Sequence, residues 1–139
     1  MSGFLLDTNV LSEPVKRNPN PGLLDWLAAA SNDSLYISVV TLGEIRRGID
    51  RLGVSKRKAA LEGFLEDLTA RFFRRTHVID VPVAERWGRL VASLESQGRR
   101  LPTADALIAA TALEHNLTIV SRDADFYAVA GVSKLNPFS

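Results

Sequence analysis

The sequence contains no cysteine. That absence excludes disulfides, cysteine-ligated zinc, iron–sulfur clusters and a thiol nucleophile, and it fits a reducing compartment. Histidine is nearly absent too. His77 and His115 stand 38 positions apart, one on an expected strand and one at an expected helix end, and both are read as structural or surface residues. Aromatic residues make up 7% of the chain, too few for the stacking stripes of single-strand binders. No apolar run approaches the ~20 residues needed to cross a bilayer. Ala104 to Leu113 is the most apolar stretch, and it holds Asp105 and Thr111. The start, Met1-Ser2-Gly3-Phe4-Leu5-Leu6-Asp7, has no basic region and meets an acid at once, so no signal peptide is expected. The expectation is a soluble, cytoplasmic protein with no membrane partner.

What is present is a chain of 139 residues, 46% hydrophobic. That length suits one domain over residues 1–139, and the apolar fraction excludes wholesale disorder. Seventeen Lys and Arg face 16 Asp and Glu, a net charge of +1. Thirteen of those cations are Arg, whose planar fork suits carboxylate and phosphate.

Gly3 to Leu6 reads as a buried strand. Pro14, Pro19 and Pro21 with Asn18 and Asn20 mark a loop, and Gly22 to Ala30 a short helix. Ser34 to Val40 alternates as a second strand. Helices follow at Thr41 to Leu52 and Lys56 to Phe73, their apolar residues at helical spacing. His77 to Val81 reads as a third strand, and Pro82 opens a helix whose buried face carries Val83, Trp87, Leu90, Val91 and Leu94. Pro102 to His115 is a helix apolar on nearly every side, hence buried. Leu117 to Ser121 is a fourth strand, Ala124 to Ala130 a short helix and Val132 to Leu135 a last strand. This alternation predicts an α/β sandwich with a mostly parallel central sheet, whose ligand crevice lies beyond the carboxyl ends of the strands.

Four acids fall at that edge. Asp7 ends the first strand, Glu44 lies in the first turn of the helix after strand two, Asp105 in the first turn of the buried helix, and Asp123 just after strand four. Each has a local explanation. Asp7 and Asp123 could cap helices, Thr41 and Glu44 fit a capping box, and Asp105 complements a helix dipole. Together they imply more. At ~5 Å and an effective dielectric of ~20, each ionised pair repels by roughly 3 kcal/mol. Such a cluster keeps protons or holds a divalent cation. All-oxygen ligands suit Mg²⁺ or Mn²⁺ rather than Zn²⁺. The cation, one or two, would activate water and screen a phosphodiester. Thr8, Asn9 and Ser121 supply neutral polar groups beside the acids, for orientation or for turn chemistry. Asp123 and Asp125 both lie close to the fourth position; Asp123, directly after the strand, is preferred, and Asp125, before Phe126, reads more as a loop or helix-start anchor.

The Leu-Leu-Asp-Thr-Asn start, Glu44 in its helix, Asp105 followed by Ala106-Leu107-Ile108-Ala109-Ala110-Thr111-Ala112, and Ser121-Arg122-Asp123-Ala124-Asp125-Phe126 resemble the motifs of PIN-domain ribonucleases. The resemblance runs to the Leu135-Asn136-Pro137-Phe138 end. In length and order the chain is similar to VapC-type toxins of type II toxin–antitoxin systems, especially the FitB-like branch. That resemblance implies a PIN-like three-layer α/β/α sandwich and Mg²⁺- or Mn²⁺-dependent endonucleolytic cleavage of RNA. It carries the acidic quartet onto Asp7, Glu44, Asp105 and Asp123, the three Asp holding metal and Glu44 acting through water. It also implies a dimer or hetero-oligomer silenced by a small VapB/FitA-like antitoxin, through which promoter DNA is bound.

Residues Arg46 to Arg75 hold nine cations against four acids. Arg46, Arg47 and Arg51 are candidates for RNA or antitoxin contact, Arg47 and Arg51 lying one turn apart near Glu44; Arg99 and Arg100 are further candidates, whereas Lys56-Arg57-Lys58 reads as a solvated face. One rival is a weakly active PIN-fold module binding an antitoxin in a DNA-binding complex, against which the intact quartet speaks. Another is an Asp-based phosphoryl enzyme, but Asp7-Thr8-Asn9 lacks the second Asp of a haloacid-dehalogenase-like motif. With the quartet set aside, 17 cations face 12 acids. Near-neutrality is thus the sum of an acidic site and a basic surround.

Overall fold

The computed structural model describes residues 3–139. Met1 and Ser2, the first residues of the start read above as leaderless, lie outside the described residues. Strands β1 (Phe4–Leu6), β2 (Leu35–Ser38), β3 (Thr76–His77), β4 (Thr118–Val120) and β5 (Lys134–Leu135) form one sheet in the order β3-β2-β1-β4-β5. Every described pairing is parallel. The helices are α1 (Thr8–Ser12), α2 (Pro21–Ala29), α3 (Val39–Asp50), α4 (Lys56–Arg71), α5 (Val81–Ser96) and α6 (Thr103–His115).

Strand alternation builds three layers. Successive side chains point to opposite faces, so Leu6 and Val120 join one core cluster and Leu5 and Ile119 the other. The first cluster takes Leu11, Leu23, Ile45 and Leu65 from α1 to α4. The second takes Ile108, Ala109 and Ala112 from α6. Both faces of the central strands are therefore buried, as a parallel sheet requires, and the expected α/β/α sandwich is present. A Cβ on Gly3 would lie 2.8 Å from the Ser34 carbonyl oxygen, so a side chain there would push the first two strands apart.

Several boundaries differ from the sequence reading, each for a local reason. Residues 8–12 form α1, which periodicity did not signal because it is a single short turn capped by Asp7. The second strand ends at Ser38, and α3 begins at Val39 instead of Thr41. Ser38 takes the cap: its hydroxyl accepts from the Val40 N–H at 3.0 Å. The expected Thr41–Glu44 capping box is not formed, and Glu44 falls in the second turn. The third strand is Thr76–His77, earlier than His77 to Val81, because the Asp80 carboxylate accepts from the Val83 N–H and starts α5 there. The segment after β4 is a 3₁₀ helix, Ala124–Ala128, and β5 keeps only Lys134–Leu135. On α5, Val83 and Leu94 are buried, but Trp87, Leu90 and Val91 only partly so. α6 is buried through its middle, from Ala106 to Ala112 with Leu107 partly so, while its two ends reach the surface.

Candidate functional site

The site begins where β1 ends. The Asp7 N–H continues the sheet by donating to the Val120 carbonyl at 3.0 Å. Its side chain caps α1, Oδ1 accepting from the Thr8 N–H at 2.8 Å. Its second oxygen, Oδ2, accepts from Ser121 Oγ at 2.7 Å and from Asn9 Nδ2 at 3.2 Å. Ser121 Oγ in turn accepts from Asn9 Nδ2 and from the Asp123 N–H, both at 2.9 Å. A hydroxyl has one proton and two lone pairs, and here all three are used. Thr8, Asn9 and Ser121 thus have distinct tasks in tying the end of β1 to the end of β4. The capping role and the site role of Asp7 are the same geometry.

Glu44 reaches this cluster from α3, where Thr8 Oγ1 donates to its Oε1 at 3.0 Å. Asp105 comes from the first turn of α6. Asp123 caps the 3₁₀ helix, Oδ1 accepting from the Asp125 N–H at 2.9 Å. Carboxylate oxygens of Asp105, Asp123 and Asp125 all lie within 4.8 Å of one another. Among the described residues that is the group with metal-holding spacing, and Asp125 stands inside it. The sequence reading prefers Asp123 as the fourth acid with Asp125 as its alternative, and the structure brings both to the cluster. The pairing with Asp123 was hidden because the direction of a side chain in a 3₁₀ turn depends on the cap. Asp7 and Glu44 stand alongside and act through their charge.

The electrostatics match such crowding. Burial pushes the Asp105 carboxyl up to about 7, and the negative charges of Asp123, Asp7 and Glu44 add to the shift. Asp105 in its neutral form also shares a carboxyl hydrogen bond with Asp123. Burial raises Asp7 as well, against the hydrogen bonds from Ser121 and Thr8, and Asp123 pushes it further. Glu44 is raised by burial, opposed by its Thr8 hydrogen bond. Like charges that raise one another's proton affinity are a cation's site or a proton's. The donor set, all carboxylate oxygen with hydroxyl and amide groups behind it, fits a hard divalent cation.

The cations divide. Arg46 turns away into ion pairs with Asp50 at 3.3 Å and Glu62 at 3.8 Å, so α4 claims it instead of the site. Arg47 is exposed, and its charge reaches Glu44; Arg51 is exposed at the end of α3. A groove of about 750 Å³ opens from Thr8 and Glu44, with Lys16, Arg17 and Arg57 on its sides and Phe64 within it. Arg57, read from sequence as merely solvated, therefore faces the groove. A second, shallower depression of about 820 Å³ between α3 and α4, lined by Leu42, Arg46 and Phe73, contains none of the site acids.

The sequence profile of the PIN domain matches residues 4–132. The FitB toxin of Neisseria gonorrhoeae is 36% identical over 97% of this chain and 98% of its own. A VapC ribonuclease of Sinorhizobium fredii, Y4jK, is 31% identical over 97% of each. The solved structure of FitAB bound to an IR36 DNA fragment superposes with a TM-score of 0.90 at 34% identity, covering 98% of this chain and 96% of that one. With the family profile spanning nearly the whole sandwich and relatives above 30% identity over 97% of its length, the chain belongs to the PIN-domain family, in its branch of VapC-type ribonuclease toxins.

Proposed function

We propose that this chain is a Mg²⁺- or Mn²⁺-dependent endoribonuclease and the toxin of a VapBC-type pair. The observation that carries the reading is the convergence of Asp105, Asp123 and Asp125 within 4.8 Å, with Asp7 and Glu44 close enough to shift Asp105. Asp7, Asp105 and Asp123 hold the cation, and Asp125 offers a further oxygen. When bound, the cation neutralises the carboxylates, polarises the phosphodiester and lowers the pKa of a water ligand. The rest falls to the chain. Ser121, Asn9 and the Thr8 N–H hold Asp7 in one orientation. Glu44, steadied by Thr8 and raised by burial, is placed to take a proton from the attacking water. Asp105, whose proton affinity burial and its acidic neighbours raise, would exchange that proton for a bound cation.

The partners follow from the same reading. A small VapB/FitA-like antitoxin covers the groove beside Glu44, and DNA is engaged only through it, as the FitAB–DNA relative suggests. The toxin acts as a homodimer or within a hetero-oligomer, in the cytoplasm. Among the described residues no helix is long and apolar enough to cross a membrane. The test is cleavage of labelled RNA by the purified chain. Activity is expected with Mg²⁺ or Mn²⁺, and loss of it with chelator or with Asp7→Asn. Cleavage that persists in both conditions overturns the reading.

A further inference from the structure

The turn that carries Asp123 also carries a cation. Arg122 follows Ser121, the donor to Asp7, and precedes Asp123. Its N–H donates to Asn9 Oδ1 at 3.3 Å, and the same Asn9 amide donates to Asp7. The Arg122 backbone is therefore fixed by the network that orients the acids. Its side chain is exposed, yet it is not loose. The guanidinium carbon lies 5.1 Å from the centre of the Phe138 ring.

That ring is itself anchored. Phe138 is half-buried against the core cluster of α1 to α4, and its N–H donates to Asn136 Oδ1 at 3.0 Å. The next residue, Ser139, exchanges two hydrogen bonds of 3.0 Å with the Asn20 side chain. A guanidinium held over a ring keeps N–H groups available as donors.

That guanidinium makes no ion pair among the described residues. Arg46 and Arg86 are paired to acids, and Arg75 donates to the Asn32 and Leu35 carbonyls. Glu13 is held below the ordinary carboxylate range mainly by Lys16 and the Asn20 N–H, with Arg122 the smallest influence. A polyanion approaching five carboxylates needs a cation inside the screening distance of roughly 8–10 Å, and Arg122 sits in the same turn as one of them.

We infer that Arg122 is a substrate-positioning residue: its guanidinium, stacked on Phe138, binds a phosphate of the RNA strand beside the acidic edge. The inference rests on the nuclease reading above and names a contact within it. Holding the fork in place beforehand reduces the ordering cost of that contact.

The test uses the full chain and a short, mixed-sequence, fluorescein-labelled single-stranded RNA. Binding is titrated in chelator over a range of salt, and cleavage kinetics are measured with Mg²⁺. Loss of one phosphate contact lowers the slope of log K against log salt by about 0.7. Arg122→Ala is expected to show that drop and a several-fold rise in KM with kcat little changed. Arg122→Lys keeps the slope. Phe138→Ala keeps the slope but raises KM, and Phe138→Trp restores it. An Arg122→Ala protein that binds with the wild-type slope, whatever its affinity, overturns the phosphate contact. A Phe138→Ala protein with wild-type KM overturns the positioning. Wild-type protein that cleaves no RNA with Mg²⁺ fails the nuclease reading instead, a result separate from both.

Discussion

Helix α6 spans about 20 Å, and its two ends gather like-titrating residues in opposite ways. At its start, Asp105 meets Asp123, Asp7 and Glu44. At its end, the His115 ring lies face to face with His77, centroids 3.8 Å apart and planes 18° apart, and Tyr36 extends the stack at 5.3 Å from His77. At the histidine end, folding lowers the proton affinity of His77 instead of raising it. Burial pushes His77 down, His115 adds to that, and Asp80 opposes it. The two rings also gain from stacking. The carboxylates have no such option near neutral pH. They must retain a proton or take a cation, and Asp105 near 7 marks the proton retained. Repulsion that folding could relieve is relieved at one end and kept at the other, which separates a packing solution from a site.

Breaking the acidic end has the largest expected effect. Asp105→Asn should lower Mg²⁺-dependent cleavage by at least about a hundred-fold, the scale on which disturbed metal sites lose activity. In chelator at pH 8 the same variant should be more stable than wild type by ~1 kcal/mol, a figure discounted because the carboxyl is partly solvated. The sign follows from linkage. The folded-state value near 7 lies above the ordinary 3.8, so the folded protein binds the extra proton. That stabilisation is complete below about pH 4 and is lost as pH rises through 7. Thermal unfolding in chelator at pH 5 and pH 8 checks it. A variant less stable than wild type at pH 8 would mean that Asp105 is held by its neighbours, not strained by them.

A smaller effect comes from occupying the site. Mg²⁺ should raise the unfolding temperature more at pH 8 than at pH 5, because it must displace the Asp105 proton at the lower pH. Saturation at a hundred times the dissociation constant is worth ~2.7 kcal/mol. Equal shifts at both pH values would place the cation elsewhere. Asp125→Asn sharpens the same point. If its carboxylate is a ligand, the Mg²⁺-induced shift shrinks while the chelator baseline stays put.

Much of this edge was legible in the sequence, for a reason particular to parallel sheets. Phe4-Leu5-Leu6 and Thr118-Ile119-Val120 are apolar on both faces, so the strands announce themselves and the first polar residues after them must lie at the carboxyl edge. Asp7 and Asp123 were found that way, and Asp105 by its place in the first turn of a buried helix. What stayed hidden depends on contacts between distant residues. Ser38 and Thr41 both offer a helix cap, and the Ser38 hydroxyl takes it by accepting from the Val40 N–H. Arg46 looked free to meet substrate until α4 brought Glu62 beside it. The Arg122–Phe138 contact joins residues from opposite sides of β5.

The histidine end gives the smallest and most selective prediction. No distance in the sequence suggested that His77 and His115 meet, and their contact requires both β3 and the end of α6 to be in place. Because burial and His115 lower His77 in the folded state, the unfolded chain takes up a proton first as pH falls. The stacking contribution is therefore present above about 6.5 and lost below it. Asp80 acts on His77 through its charge, and Glu114, next to His115, is paired with Arg86; none of these is at the acidic edge. His77→Phe keeps an aromatic face against His115 but cannot be protonated. Its urea midpoint should match wild type within ~0.5 kcal/mol at pH 7.5 and exceed it at pH 5.5. RNA cleavage should be unchanged, since nothing at this end touches the acids. A variant that loses activity along with its acid lability would show that the two ends of α6 are coupled. One that stays as acid-labile as wild type would move the acid sensitivity away from His77.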